Sequence, residues 1–137
     1  MTIDTVSEGD EFSFEQVVAA AHIDAFAALS GDVSPLHVDP VFAVSRGFPD
    51  RVAHGALLSG YASRLFGVHL PGRDCLLQSL SMRYLQPVHP GDRLTVSARI
   101  SQVSPAMKTF AAEIAIIRAS VVVAKGKAQV GFTGDSK

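Results

Sequence analysis

Two hydrophobic periods divide the chain near its middle. Up to about residue 66 the apolar positions recur at helical intervals. Beyond about residue 76 they alternate with polar ones or run together, as strands do. Ser13, with Gln16 three residues later, has the form of a capping box and predicts a helix start. Val17, Val18, Ala21, Phe26 and Leu29 would form its apolar face, blurred by a run of alanines, and Gly31 is a natural stop. Pro35, Pro40 and Pro49 exclude a long helix between residues 31 and 50, leaving turns and one helical turn near 41–45. A second helix is expected over 54–66, with Leu57, Leu58, Tyr61 and Leu65 at helical spacing and Gly67 closing it.

Strands are expected at 76–84, 93–103, 108–118 and 121–132, all rich in Val, Ile, Leu, Thr and Phe. A Pro- and Gly-bearing stretch at 87–92, another turn at 104–106 and a tight turn near Ala119-Ser120 separate them. Alternation is clearest from Leu94 to Ile100, which implies one buried face. Short connections favour antiparallel pairing. A sheet that needs cover on one face, beside an unusually apolar helix, predicts an α+β domain over 1–137 in which the antiparallel sheet wraps the central helix. That helix should be buried nearly all round.

Composition narrows the function classes. The 137 residues fit one domain, and 47% hydrophobic residues suffice for a core. Twelve basic and 13 acidic residues give a net charge of -1, so no basic excess exists for nucleic acid. No apolar run approaches a bilayer span, and Met1-Thr2-Ile3-Asp4 lacks a basic, apolar leader, so no membrane partner and a soluble cytoplasmic protein are expected. The single Cys75 has no internal disulfide partner and is read as a buried structural thiol. The five histidines show no ligand spacing, so neither a metal nor another cofactor is expected.

The chemistry-bearing stretch runs from Ser30-Gly31-Asp32 to Pro35-Leu36-His37 and on to Asp39-Pro40. It sets a carboxylate and an imidazole five residues apart on a segment that Pro35 keeps out of regular helix and makes stiff. Such a pair can take a proton from a water and deliver one to carbon, as addition of water across a double bond requires. The second stretch, Ala53-His54-Gly55, opens the apolar helix. A backbone N–H there has no intrahelical partner, and glycine lets a carbonyl that gains negative charge approach it. Taken alone, Asp32 and His37 would more often be a turn with a solvated carboxylate, and His54 a capping or supporting residue rather than a catalyst.

Together these residues resemble a known family. Residues 26–32 (Phe-Ala-Ala-Leu-Ser-Gly-Asp), 35–40 (Pro-Leu-His-Val-Asp-Pro) and Ala53-His54-Gly55 with Leu57-Leu58 are similar to the motif of MaoC-like (R)-specific enoyl-CoA hydratases, most of all the small single-hot-dog enzymes linked to polyhydroxyalkanoate synthesis. Leu70-Pro71-Gly72, 78–81 and 87–92 extend the likeness over nearly the whole chain. The resemblance implies a hot-dog fold, a homodimer whose sheets join edge to edge, and reversible hydration of a trans-2-enoyl-CoA. Asp32 and His37 then match the catalytic pair, Gly55 the donor to the thioester carbonyl, and Ser63 a serine lining the site. Ser34 departs from the family's usual Asn, which reads as tuning. His54 would line the site, and Leu58, Ala62, Ser63 and Phe66 would face or border the acyl pocket. Phe66 would either close that pocket or be ordinary core, and Arg83 and Lys125 would be either phosphate contacts or solvated sheet-face charges. Alternatives are dehydration of a (3R)-hydroxyacyl group on acyl carrier protein, and a non-catalytic thioester-binding partner subunit. A hot-dog thioesterase would need a carboxylate on the central helix, and residues 55–67 contain none.

Overall fold

The alternation in the second half of the chain builds four long strands, and a fifth comes from the region where the Ser13–Gln16 spacing predicts a helix. The computed structural model describes residues 1–134, so the last three residues of the expected 1–137 domain lie outside the described residues. Strands β1 (Glu11–Val17), β2 (Cys75–Tyr84), β3 (Arg93–Ser104), β4 (Thr109–Arg118) and β5 (Val121–Phe132) form one antiparallel sheet in the order β1-β3-β4-β5-β2. Leu94, Val96, Ala98 and Ile100 of β3 are buried at alternate positions, as are Phe110, Ala112, Ile114 and Ile116 of β4. The register sets Val96 opposite Ile116 and Ala98 opposite Ile114, so the apolar rows share one face. The β4–β5 turn is the expected Ala119-Ser120, both at positive φ (46° and 70°), as a twist-matched two-residue hairpin turn requires.

The helices are α1 (Ala20–Ser30), α2 (Pro35–Val38), α3 (Pro40–Ser45) and α4 (Gly55–Arg64). Leu57, Leu58 and Ala62 of α4 join the β3, β4 and β5 rows in one core, with Leu65 and Phe66 beyond them. This is the expected α+β hot-dog architecture, an antiparallel sheet packed around the central helix.

Four details differ from expectation. First, Ser13 and Gln16 do not cap a helix: they lie in β1, opposite Ser97 and Leu94 of β3. Seven ladder pairs outweigh a two-residue capping pattern, and α1 begins only at Ala20. Its buried positions are Ile23 and Ala27, while Leu29 is 85% exposed. Gly31 does stop it, at φ 78° with its N–H donating to Ala27 O at 2.9 Å. Second, Gly67 does not close α4, which runs on through one π turn (Leu65–His69). Third, α4 is not buried all round. Ala56, Gly60 and Ser63 are exposed, and side chains so small give that stripe little apolar area to hide. Fourth, Cys75 is half-buried rather than buried, and that burial raises its thiol pKa.

Candidate active site

Four short segments meet at the start of α4. Asp32 lies in the loop after Gly31, and Pro35 at the first position of α2 puts His37 in that helix's single turn. Asp39 is structural, since its carboxylate accepts the N–H groups of Val41 and Phe42 and caps α3. Residues 51–53 are pinned on both sides. Val52 N–H donates to Leu36 O at 3.1 Å and Ala53 N–H to Val88 O at 2.7 Å. Arg51 ties α1 to α2 by donating to Asp24 Oδ1 at 2.6 Å and to His37 O at 3.3 Å.

The pinned segment fixes the tautomer of His37. Its Nδ1 lies 2.6 Å from Val52 O, and a carbonyl can only accept, so Nδ1 carries a proton. Nε2 then faces Asp32 Oδ2 across 3.8 Å, too long for a hydrogen bond, so the two groups stand ready to share a third. The His37 side chain is 16% exposed and that of Asp32 51%, so the carboxylate reaches solvent while the imidazole is half-enclosed. Ser34 is exposed, and its backbone N–H, not its side chain, donates to Asp32 Oδ1 at 3.3 Å. Any residue but proline could make that bond, so it does not depend on the departure from Asn.

His54 is buried and its ring stacks on His37, with centroids 3.9 Å apart and planes at 25°. Asp32, His37 and His54 each bring a ligand-type atom within 4.8 Å of the others, a grouping invisible in the sequence spacing. Two of the four ring nitrogens are committed as donors to the carbonyls of Val52 and Asp32. Of the other two, His54 Nδ1 is buried without a partner among the described residues, and His37 Nε2 faces the Asp32 carboxylate, the open pair.

His37 and Gly55 line one cleft of about 330 Å³, with Leu58, Val88 and Tyr84 among its walls. Gly55 is the first residue of α4, where an N–H has no intrahelical acceptor. A reason for glycine there is also local: a Cβ would lie 2.6 Å from the Tyr84 ring. The Tyr84 hydroxyl meets Ser59 Oγ at 2.6 Å, which fixes that ring over the first turn of α4. Sequence reasoning missed Tyr84, although its parity with Leu80 and Met82 on β2 marks it as facing the helix.

Other expected site residues lie elsewhere. Phe66 has no exposed surface and belongs to the core, so it does not close this cleft. Ala62 is likewise core, and Ser63 is exposed two turns beyond Gly55, outside the cleft lining. Arg83 and Lys125 are cross-strand partners that line a separate groove of about 600 Å³ with Glu113 and Lys127. Strand alternation puts Arg83 on the face opposite Tyr84, away from the cleft.

Comparison with known proteins bears on this geometry. The family model described as MaoC like domain matches residues 4–123. An (R)-specific enoyl-CoA hydratase of Rhodospirillum rubrum is 31% identical over 125 residues, 91% of this chain and 87% of that protein. An (R)-specific enoyl-CoA hydratase of Aeromonas caviae is 35% identical over 101 residues, 74% of this chain and 75% of its own. The unliganded R-hydratase PhaJ1 of Pseudomonas aeruginosa superposes with a TM-score of 0.91 at 25% identity, covering 98% of this chain and 86% of that one.

Proposed function

The chain belongs to the MaoC-like domain family, a family of hydro-lyases by its named relatives, and from that premise we propose that it hydrates trans-2-enoyl-CoA to (3R)-hydroxyacyl-CoA and catalyses the reverse dehydration. The observation that carries this reading is the open Asp32–His37 pair, 3.8 Å apart, beside a cleft that His37 and Gly55 share.

In the proposed reaction the thioester carbonyl accepts the Gly55 N–H, at the positive end of the α4 dipole. A water lies between Asp32 Oδ2 and His37 Nε2. One member of the pair takes a proton from it as its oxygen bonds to C3. The double-bond electrons move to C2 and the thioester oxygen, and the enolate is held by the Gly55 N–H. The pair then gives a proton to C2, so its own proton count is unchanged and one water has been added. Asp32 and His37 act as one coupled acid–base unit. Reversed, the same steps expel water from the 3-hydroxyacyl thioester.

The cleft lining includes no Lys or Arg among the described residues. Coenzyme A is itself polyanionic, so this lining does not separate it from an acidic carrier protein. The preference for a coenzyme A thioester rests on the named hydratase relatives. A homodimer fits the edges of the sheet: β1 and β2 each have one unpaired side, and Leu76 on β2 is half exposed. No helix is long and apolar enough to cross a membrane among the described residues.

The test is the loss of enoyl absorbance when the purified protein meets crotonyl-CoA, run beside Asp32→Asn and His37→Ala. Turnover by the wild type and a loss of at least about a hundredfold in both variants is expected, the scale for removing a general acid or base. Equal turnover by the variants would remove the pair from the mechanism.

A further inference from the structure

We propose that His54 is a positioning residue that holds Asp32 and His37 together, and that it does so as the tautomer with its proton on Nε2. The inference rests on the reading of Asp32 and His37 as the acid–base pair. His54 is 2% exposed and is the one buried polar side chain among the described residues. Burying a polar ring costs free energy unless its partners compensate, so its contacts need a reason.

Those contacts converge on the pair. Nε2 lies 2.9 Å from the backbone carbonyl oxygen of Asp32, which only accepts, so Nε2 carries the proton. Nδ1 is buried without a partner among the described residues. A second proton there would be an unpaired donor on a buried, charged ring, so the ring is the Nε2–H form. The opposite tautomer would set a lone pair against the carbonyl and release the loop.

Asp32 follows a left-handed glycine in a short loop, and two bonds hold its backbone. Its N–H donates to Ser30 Oγ at 3.1 Å, and its carbonyl accepts from His54. The His37 ring is also held twice, by Val52 O through Nδ1 and by the His54 face through the stack. Phe26 packs against His54 at 4.8 Å and braces it. One imidazole therefore fixes both sides of the 3.8 Å gap, and the gap must keep its width for one water to touch both groups.

The test separates the donor from the ring. His54→Phe keeps a ring to stack and drops the donor, whereas His54→Gln keeps an N–H near the place of Nε2 and drops the ring. With crotonyl-CoA each is expected to lose between about tenfold and a hundredfold in kcat, the scale of a misplacement near 1 Å, with KM within about threefold. His54→Ala should lose more than either. Nitrogen NMR of the wild type should show His54 with Nε2 protonated and Nδ1 bare.

A kcat within about twofold of wild type in both single-role variants overturns the proposal. So does a proton on Nδ1 alone, or a loss that appears in KM and thermal stability rather than in kcat. Asp32→Asn and His37→Gln, assayed alongside, separate the two failures. If those retain activity, the reading of the pair falls; if they lose it while the His54 variants keep it, only the positioning role falls.

Discussion

Two histidines mark the two ends of the central helix, alike in packing and different in what their rings meet. His54 stands just before Gly55, and His69 ends the π turn at the far end. Each has one buried ring nitrogen without a partner among the described residues, Nδ1 in His54 and Nε2 in His69. Each is stacked: His54 on His37 at 3.9 Å, His69 on Phe12 at 4.1 Å. Around His69 the further neighbour is Phe14, which in turn carries the Arg64 guanidinium at 4.1 Å. That is an aromatic clamp tying β1 to the end of the helix. Around His54 the stacked partner is an imidazole that faces a carboxylate beside a cleft. Burial and stacking are thus common to both ends, and only around His54 do a second titratable group and a cleft join them, which is why the proposed site lies there.

The contrast is sharpest when each end is disabled. Asp32→Asn or His37→Gln should lower kcat/KM on crotonyl-CoA by about a hundredfold or more while the urea midpoint stays close to wild type. Gly55→Ala comes next. Its Cβ meets the Tyr84 ring at 2.6 Å, so the ring must shift. We expect a stability loss of about 1–3 kcal/mol by urea unfolding, and reduced turnover as the cleft wall moves. The loss should shrink when Tyr84 is also shortened to Leu.

At the other end, His69→Ala should cost about 0.5–1.5 kcal/mol of stability through the lost stacking and leave kcat within about twofold. A large fall in kcat would erase the distinction between the two histidines. The smallest effect belongs far from both. Ser120, at φ 70° in the β4–β5 turn, bears a left-handed conformation that glycine adopts freely. Ser120→Gly should raise stability by about 0.5–1 kcal/mol with unchanged turnover.

Legibility in the sequence followed the strength of each local signal. β2 to β5 were legible because runs rich in Val, Ile, Leu, Thr and Phe lie between turn residues, with clear alternation from Leu94 to Ile100 in β3. The ends of α1 and α4 were not. Ser13 and Gln16 fit a capping box, yet their neighbours Phe12 and Phe14 also fit a strand, and pairing with β3 decided between them. Gly67 looked like a helix stop, but buried Leu65 and Phe66 draw the chain on through a wider turn. At the proposed site, Pro35 and the start of the apolar helix mark Asp32, His37 and Gly55 only as candidates, and the resemblance to the MaoC-like motif is what assigns them roles. The stack of His54 on His37 was not legible, because it joins residues 17 apart through three-dimensional packing. Tyr84 escaped notice for the same reason: its contact with Gly55 spans 29 positions, and only its strand parity hinted at it.

Asp32 and His37 are proposed to act as one unit on one water. The most direct measurement is a double-mutant cycle on crotonyl-CoA with Asp32→Asn, His37→Gln and the double variant. If the pair shares one water, the double variant loses about as much kcat as the worse single variant, since the first substitution already disables the unit. If instead the two losses multiply, the groups act independently, and the account of a shared water is wrong.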